Sequence, residues 1–163
     1  MSFSPRQVAA ALVVLPLAAV GAALYTQYAW DMQPCPWCVL QRVVFLAIAL
    51  AALPALLFGT AWARRVSGSL GALLAVGGAA AALWQHFVAA SSSSCALTWA
   101  GRFMSSSGLD GLLPQVFGAY ASCADAKVSL IGVPYEFYSL ALFLVLAGSS
   151  AMLLMSGRRG PRG

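Results

Sequence analysis

Four long stretches without a charged side chain set the order of this chain. No Asp, Glu, Lys or Arg occurs from Gln7 to Trp30, from Val43 to Ala63, from Val66 to Gly101, or from Phe137 to Gly157. Polar and apolar positions do not alternate within these runs, so they do not read as strands of a membrane barrel. They read as helices, which satisfy their own backbone in lipid. Each run meets the roughly 20 residues that a helix needs to cross a bilayer. The pattern predicts four transmembrane helices, at about 7–28, 39–60, 66–88 and 135–156. Pro16 and Pro54 fall inside the first two and are expected to mark kinks. The expected fold is an all-α integral membrane protein, a four-helix bundle forming a single domain over residues 1–163. A cleaved signal peptide is the alternative for the first run, behind Arg6. The run is too long for a signal core, and three further spans follow it.

Composition narrows the picture. Hydrophobic residues make up 61% of the chain and charged residues 8%, against roughly 25% charged in an average soluble domain. A soluble core of this size would have no polar surface to cover it, so a soluble globular domain is excluded. The net charge of +5 does not point to nucleic acid, because Arg64, Arg65, Arg158, Arg159 and Arg162 sit in two short clusters between apolar runs. With four spans, both termini and the connection between spans two and three share one side. That side carries these arginines and Arg6, which makes it cytoplasmic by the positive-inside rule. The loops near 29–38 and 89–134 then face outward, to the periplasm in a bacterium. All four cysteines, Cys35, Cys38, Cys95 and Cys123, fall in those loops, on the side where disulfides persist.

Cys35-Pro36-Trp37-Cys38 places a Cys-x-x-Cys pair at the start of the second span. A helix N-terminus stabilises a thiolate there, and Pro36 tightens the turn. Such a pair can switch between dithiol and disulfide, or form half of a structural zinc site. The redox reading fits better, since outward thiols tend to oxidise. Cys95 and Cys123 read either as a structural brace for the long loop or as a second dithiol in an exchange relay. The Ser91–Ser94 run beside Cys95 is expected to be flexible, and segment 109–120 is apolar enough to lie along the membrane surface.

Arg42 lies four residues after Cys38, on the same helix face. It could anchor at the interface, or stabilise a Cys38 thiolate or a docked anionic acceptor. Gln41 beside it offers a hydrogen bond. His86 is the only histidine, near the outer end of the third span after Trp84 and Gln85. It could be an interfacial belt residue or a proton donor to a membrane-soluble acceptor. Tyr25, Tyr28, Trp30, Trp37, Tyr135 and Tyr138 are expected to form an aromatic belt.

Together these residues resemble the disulfide bond formation protein B (DsbB) family of bacterial inner-membrane thiol oxidases. The likeness rests on Cys-Pro-Trp-Cys-Val-Leu-Gln-Arg at 35–42, Trp84-Gln85-His86 and Cys95. It continues in Pro114-Gln115-Val116-Phe117, Ser122-Cys123-Ala124-Asp125 and Ile131-Gly132-Val133-Pro134, so it spans nearly the whole chain in order. The resemblance implies a protein-dithiol:quinone oxidoreductase of the inner membrane. Its partner would be a periplasmic thioredoxin-fold (DsbA-like) protein, and its acceptor a quinone, ubiquinone or menaquinone, from the bilayer pool. It implies that the partner attacks Cys95 and releases Cys123, that Cys123 exchanges with Cys35, and that Cys38 hands two electrons to the quinone. Arg42 would stabilise negative charge, and His86 would line or support the quinone site, where the hydrogen bond offered by Gln41 makes it the third candidate contact. No metal is implied. Two other readings compete. A vitamin K epoxide reductase-like protein would carry its Cys-x-x-Cys near the last helix, the reverse of the order here. A non-enzymatic membrane protein with two structural disulfides would resist mild reductant and bind no quinone.

Overall fold

The computed structural model describes residues 4–89, 98–126 and 128–158. Cys95, Lys127 and the Ser91–Ser94 run lie outside them. Four long helices dominate: α1 (Pro5–Ala29), α2 (Pro36–Phe58), α3 (Ala61–Phe87) and, last in the chain, α7 (Tyr135–Arg158). All four are long and apolar enough to cross a membrane. The shortest has 23 residues, about 35 Å at 1.5 Å per residue, against a hydrocarbon core of about 30 Å. Between α3 and α7 lie three short helices, α4 (Trp99–Ser107), α5 (Leu109–Leu112) and α6 (Pro114–Phe117). A two-residue hairpin follows, β1 (Ser129–Leu130) and β2 (Val133–Pro134).

The helix ends follow local chemistry. Ser4 caps α1 in a reciprocal box with Gln7, and Pro5 takes the first helical position, where no amide donor is needed. Helix α2 begins at Pro36 rather than the expected 39. The same proline preference applies, and Cys35 serves as its cap, its sulfur accepting from the Cys38 amide at 3.4 Å. Gly59, with φ 64°, ends α2, and Thr60 caps α3 at once. This tight turn draws Arg64 and Arg65 into the first turns of α3. Arg65 Nε donates to the Gly157 carbonyl at 2.9 Å, satisfying the negative end of α7. Both α1 and α2 continue as helix through Pro16 and Pro54.

The bundle is apolar outside as well as inside. Val14, Leu50, Leu73 and Leu144 are each more than 60% exposed, which suits lipid and not water. Inside, Leu12, Ile48, Leu146 and Leu153 pack around the stacked rings of Phe45 and Phe143, whose centroids lie 4.2 Å apart. Helices α3 and α7 meet along the small residues Ser67, Gly68, Gly71, Ala75 and Gly78, all buried. Small side chains let helix backbones approach in a membrane, where no hydrophobic force draws helices together. A Cβ on Gly68 would stand 2.6 Å from the Leu154 nitrogen, and one on Gly78 would overlap the Phe143 ring. Gly68→Ala should therefore destabilise the protein by about 1–3 kcal/mol. Gly77→Ala, with open space around it, should be neutral or slightly stabilising. Thermal unfolding in detergent compares the two, and equal Tm values would refute the close-packing account.

The segment between α3 and α7 is folded onto the cysteine end of the bundle. Phe117 and Met104 pack on Val39, while Leu112 and Leu113 stay exposed. The amides of Tyr120 and Ala121 both donate to the Pro34 carbonyl, at 3.0 and 3.2 Å, tying this segment to the chain just before Cys35. One member of the expected aromatic belt departs from it. Trp37 is 8% exposed and packs against Trp84 between α2 and α3, because Ala100 of α4 and Cys123 cover the first turn of α2.

Candidate functional site

The site is built on the first two turns of α2. Cys35 and Cys38 are free thiols with their sulfurs 2.9 Å apart, within hydrogen-bonding reach at the positive end of a 23-residue helix. They are not equivalent. Cys35 is fully buried, and its hydrogen bond to Cys38, then its burial, hold its thiol well above the ordinary thiol range. Either sulfur can donate across this contact, and Gln85 Nε2 donates to the Cys38 sulfur at 3.2 Å. Gln85 is aimed by Gln41, whose Nε2 donates to Gln85 Oε1 at 2.7 Å. Gln41 thus acts on the cysteine through a partner 44 positions away, and not on its neighbour Arg42.

Arg42 is 5% exposed. Its Nη1 donates to Gln27 Oε1 at 2.8 Å and to the Val116 carbonyl at 2.9 Å, and its Nη2 to the Ala23 carbonyl at 3.4 Å. These bonds tie α1 and α6 to α2. None of its partners carries a charge, and among the described residues the only acid–base contact within 4 Å is His86 with Glu136. A buried cation without a counter-charge is expensive. The arrangement leaves positive potential available to an anion beside Cys38.

Cys38, Gln41, Arg42 and Gln85 all line one cavity of about 170 Å³ between α1 and α7. Ala19, Ala22, Ala23, Phe45 and Leu142 supply its apolar wall, and Thr26, Gln33, Tyr135, Glu136, Tyr138 and Ser139 its remaining polar groups. The volume is close to the roughly 150 Å³ that holds a benzene ring in a protein core. An apolar slot for one ring, with a few convergent donors at one end, fits the head of a quinone. His86 stands behind this cavity. Its Nδ1 lies 2.7 Å from Glu136 Oε1, and its ring packs on Phe87 and Phe137. Glu136, 6% exposed, faces the cavity in its place.

Cys123 is disulfide-bonded and 3% exposed. It belongs to the same buried cluster as Cys35, Trp37, Leu40 and Ala100, against which Cys38 packs. The described residues contain no group of three or more metal-ligating side chains. Sequence reasoning did not assign a role to Gln27, Gln85 or Glu136. The available signal was polarity within or beside apolar runs, since buried polar groups in membrane helices rarely lack a function.

Four membrane-spanning helices, with a thiol pair against a cation-lined cavity at one end, define a multi-pass membrane protein of the thiol–disulfide oxidoreductase class. The family profile for disulfide bond formation protein DsbB matches residues 5–153. Among curated proteins, the disulfide bond formation protein B of Cupriavidus metallidurans is 33% identical over 145 residues, covering 88% of this chain and 89% of that protein. The protein of that name in Herminiimonas arsenicoxydans is 32% identical over 143 residues, covering 87% and 90%. That of Aromatoleum aromaticum is 31% identical over 166 residues, covering 98% and 97%. The chain belongs to the disulfide bond formation protein B family.

Proposed function

We propose that the protein reoxidises a periplasmic DsbA-like thioredoxin-fold dithiol and passes the two electrons to a membrane quinone, ubiquinone or menaquinone. The observation that carries this reading is that one face of α2 presents Cys38 and Arg42 to a ring-sized cavity, while Cys123 shares a buried cluster with Cys35. A partner thiolate attacks Cys95, a mixed disulfide forms and the Cys123 thiolate leaves. Cys123 then attacks Cys35 of an oxidised Cys35–Cys38 pair, breaking that bond and forming Cys35–Cys123. A second partner thiolate resolves the mixed disulfide on Cys95, releasing the oxidised partner. The freed Cys95 thiolate attacks Cys123 and releases Cys35. The inner pair is then a dithiol and the outer pair a disulfide, with two electrons moved inward.

A bound quinone supplies the oxidising power, accepting two electrons and two protons. Arg42 and Gln85 hold negative charge at Cys38, Gln41 fixes Gln85, and the apolar wall excludes water. The arginines near the far end of the bundle, Arg6, Arg64, Arg65 and Arg158, support an inner-membrane orientation with the cysteine end in the periplasm.

The test is quinone absorbance after a reduced thioredoxin-fold dithiol is added to the purified protein in detergent. Loss of oxidised quinone is expected, and it should disappear in Cys35→Ala. Absence of quinone reduction with every dithiol tried, the disulfides being intact, would overturn the reading in favour of structural disulfides.

A further inference from the structure

We propose that Glu136 is the group that delivers a proton into the Cys38 cavity and that His86 refills it from the outer aqueous face; this rests on the function proposed above. Three observations converge. Glu136 is buried yet lines the cavity, so its carboxyl can reach an acceptor oxygen held there. Its Oε1 lies 2.7 Å from His86 Nδ1, in direct proton-transfer range. The His86 side chain is 31% exposed and stands one residue from the end of α3, so it opens at the membrane interface and not into the cavity. The pair therefore forms a two-residue path from water to the acceptor site, separate from the sulfurs. The groups facing it among the described residues are Cys38, Gln41 and Arg42 on α2, Gln85 on α3, Thr26 on α1, and Tyr135 and Tyr138 on α7. Arg42 carries a fixed charge and no proton to give, and no carboxyl other than Glu136 lines the cavity.

The balance requires such a path. Two electrons leave the inner pair as the Cys35–Cys38 bond forms, and the acceptor takes two protons with them. Cys35 holds one. Cys38, reacting as a thiolate, has already released its own to solvent, so an equivalent proton must return. Glu136 gives it to the acceptor, takes one from His86, and His86 takes one from water.

Glu136→Gln keeps a hydrogen-bonding side chain of the same shape but cannot carry a proton. Acceptor reduction should fall about 100-fold, the usual scale for losing a positioned general acid. The remaining rate should drop about tenfold per pH unit, since hydronium must then supply the proton directly. Glu136→Asp should recover part of the rate. His86→Ala should be slowed similarly and rescued by added imidazole in proportion to its concentration, which a purely structural histidine would not allow. Two readouts need no acceptor. Exchange between the partner dithiol and the cysteines, followed by thiol trapping, should be unchanged in all three variants. The sole imidazole, observed by nitrogen-15 NMR with a histidine-free purification tag, should show an Nδ1 signal that moves in Glu136→Gln. A wild-type protein that reduces quinone alongside a Glu136→Gln variant of equal rate and pH profile would overturn the relay alone. So would His86→Ala that imidazole fails to rescue, or an Nδ1 signal unmoved by Glu136→Gln. A wild-type protein that reduces no quinone would overturn the underlying function.

Discussion

Cys38→Ser should abolish acceptor reduction, by about 10³-fold or more, while a covalent complex with the partner still forms through Cys95. The two sulfurs of the pair face different surroundings. Cys35 is fully enclosed in the cluster that also holds Cys123, whereas Cys38 lines the ring-sized cavity and accepts the Gln85 amide. Electrons that reach the pair can therefore leave only from the Cys38 side. Serine is nearly the same size and its oxygen can accept from Gln85, so the fold should persist, and thermal unfolding checks this. Quinone absorbance reads the first half of the prediction, and a non-reducing gel reads the second. Retained quinone reduction in a folded Cys38→Ser protein would remove Cys38 from the electron path.

Arg42→Met should raise the apparent KM for quinone by about 10- to 100-fold, the range for a charge-assisted hydrogen bond worth about 1.5–3 kcal/mol. The guanidinium is buried among neutral acceptors and keeps its positive potential for the cavity. Methionine fills similar volume without charge. It also leaves Gln27 Oε1 and the Val116 carbonyl without their donor, costing about 1–3 kcal/mol each, so Tm should fall as well. Arg42→Lys separates the two effects. Its ammonium keeps the charge but, as one nitrogen on a shorter stem, cannot replace both the Nη1 bonds and the Nη2 bond to Ala23, so it should recover more of KM than of Tm. An unchanged KM in a folded Arg42→Met protein would leave Arg42 as an anchor only.

Much of the architecture could be read along the chain. The uncharged runs correspond to α1, α2, α3 and α7, and the ends differ by a few residues where Pro36 and Thr60 start helices early. The cysteine pair and Arg42 were likewise legible, because they lie within two turns of one helix and share its face. The inward turn of Trp37 was not, since nothing local distinguishes it from the exposed Trp30. Nor was the work of Gln41, which serves Gln85 and through it Cys38.

Hydropathy and helix capping are properties of a residue and its near neighbours, added up along the chain. The amino-acid sequence by itself therefore determined the four spans and the clustering of charge. It also placed the Cys-x-x-Cys pair at a helix start. The site depends on contacts between residues far apart in the chain. Gln85 reaches Cys38 across 47 positions, Glu136 reaches His86 across 50, and the Val116 carbonyl reaches Arg42 across 74. Only helix packing decides which polar groups in an apolar run face one another, and each run offers a full turn of directions. In lipid an unpaired polar group is costly. The tertiary structure thus selected the packing in which Arg42, Gln85 and Glu136 find partners, and that same packing shapes the cavity they line.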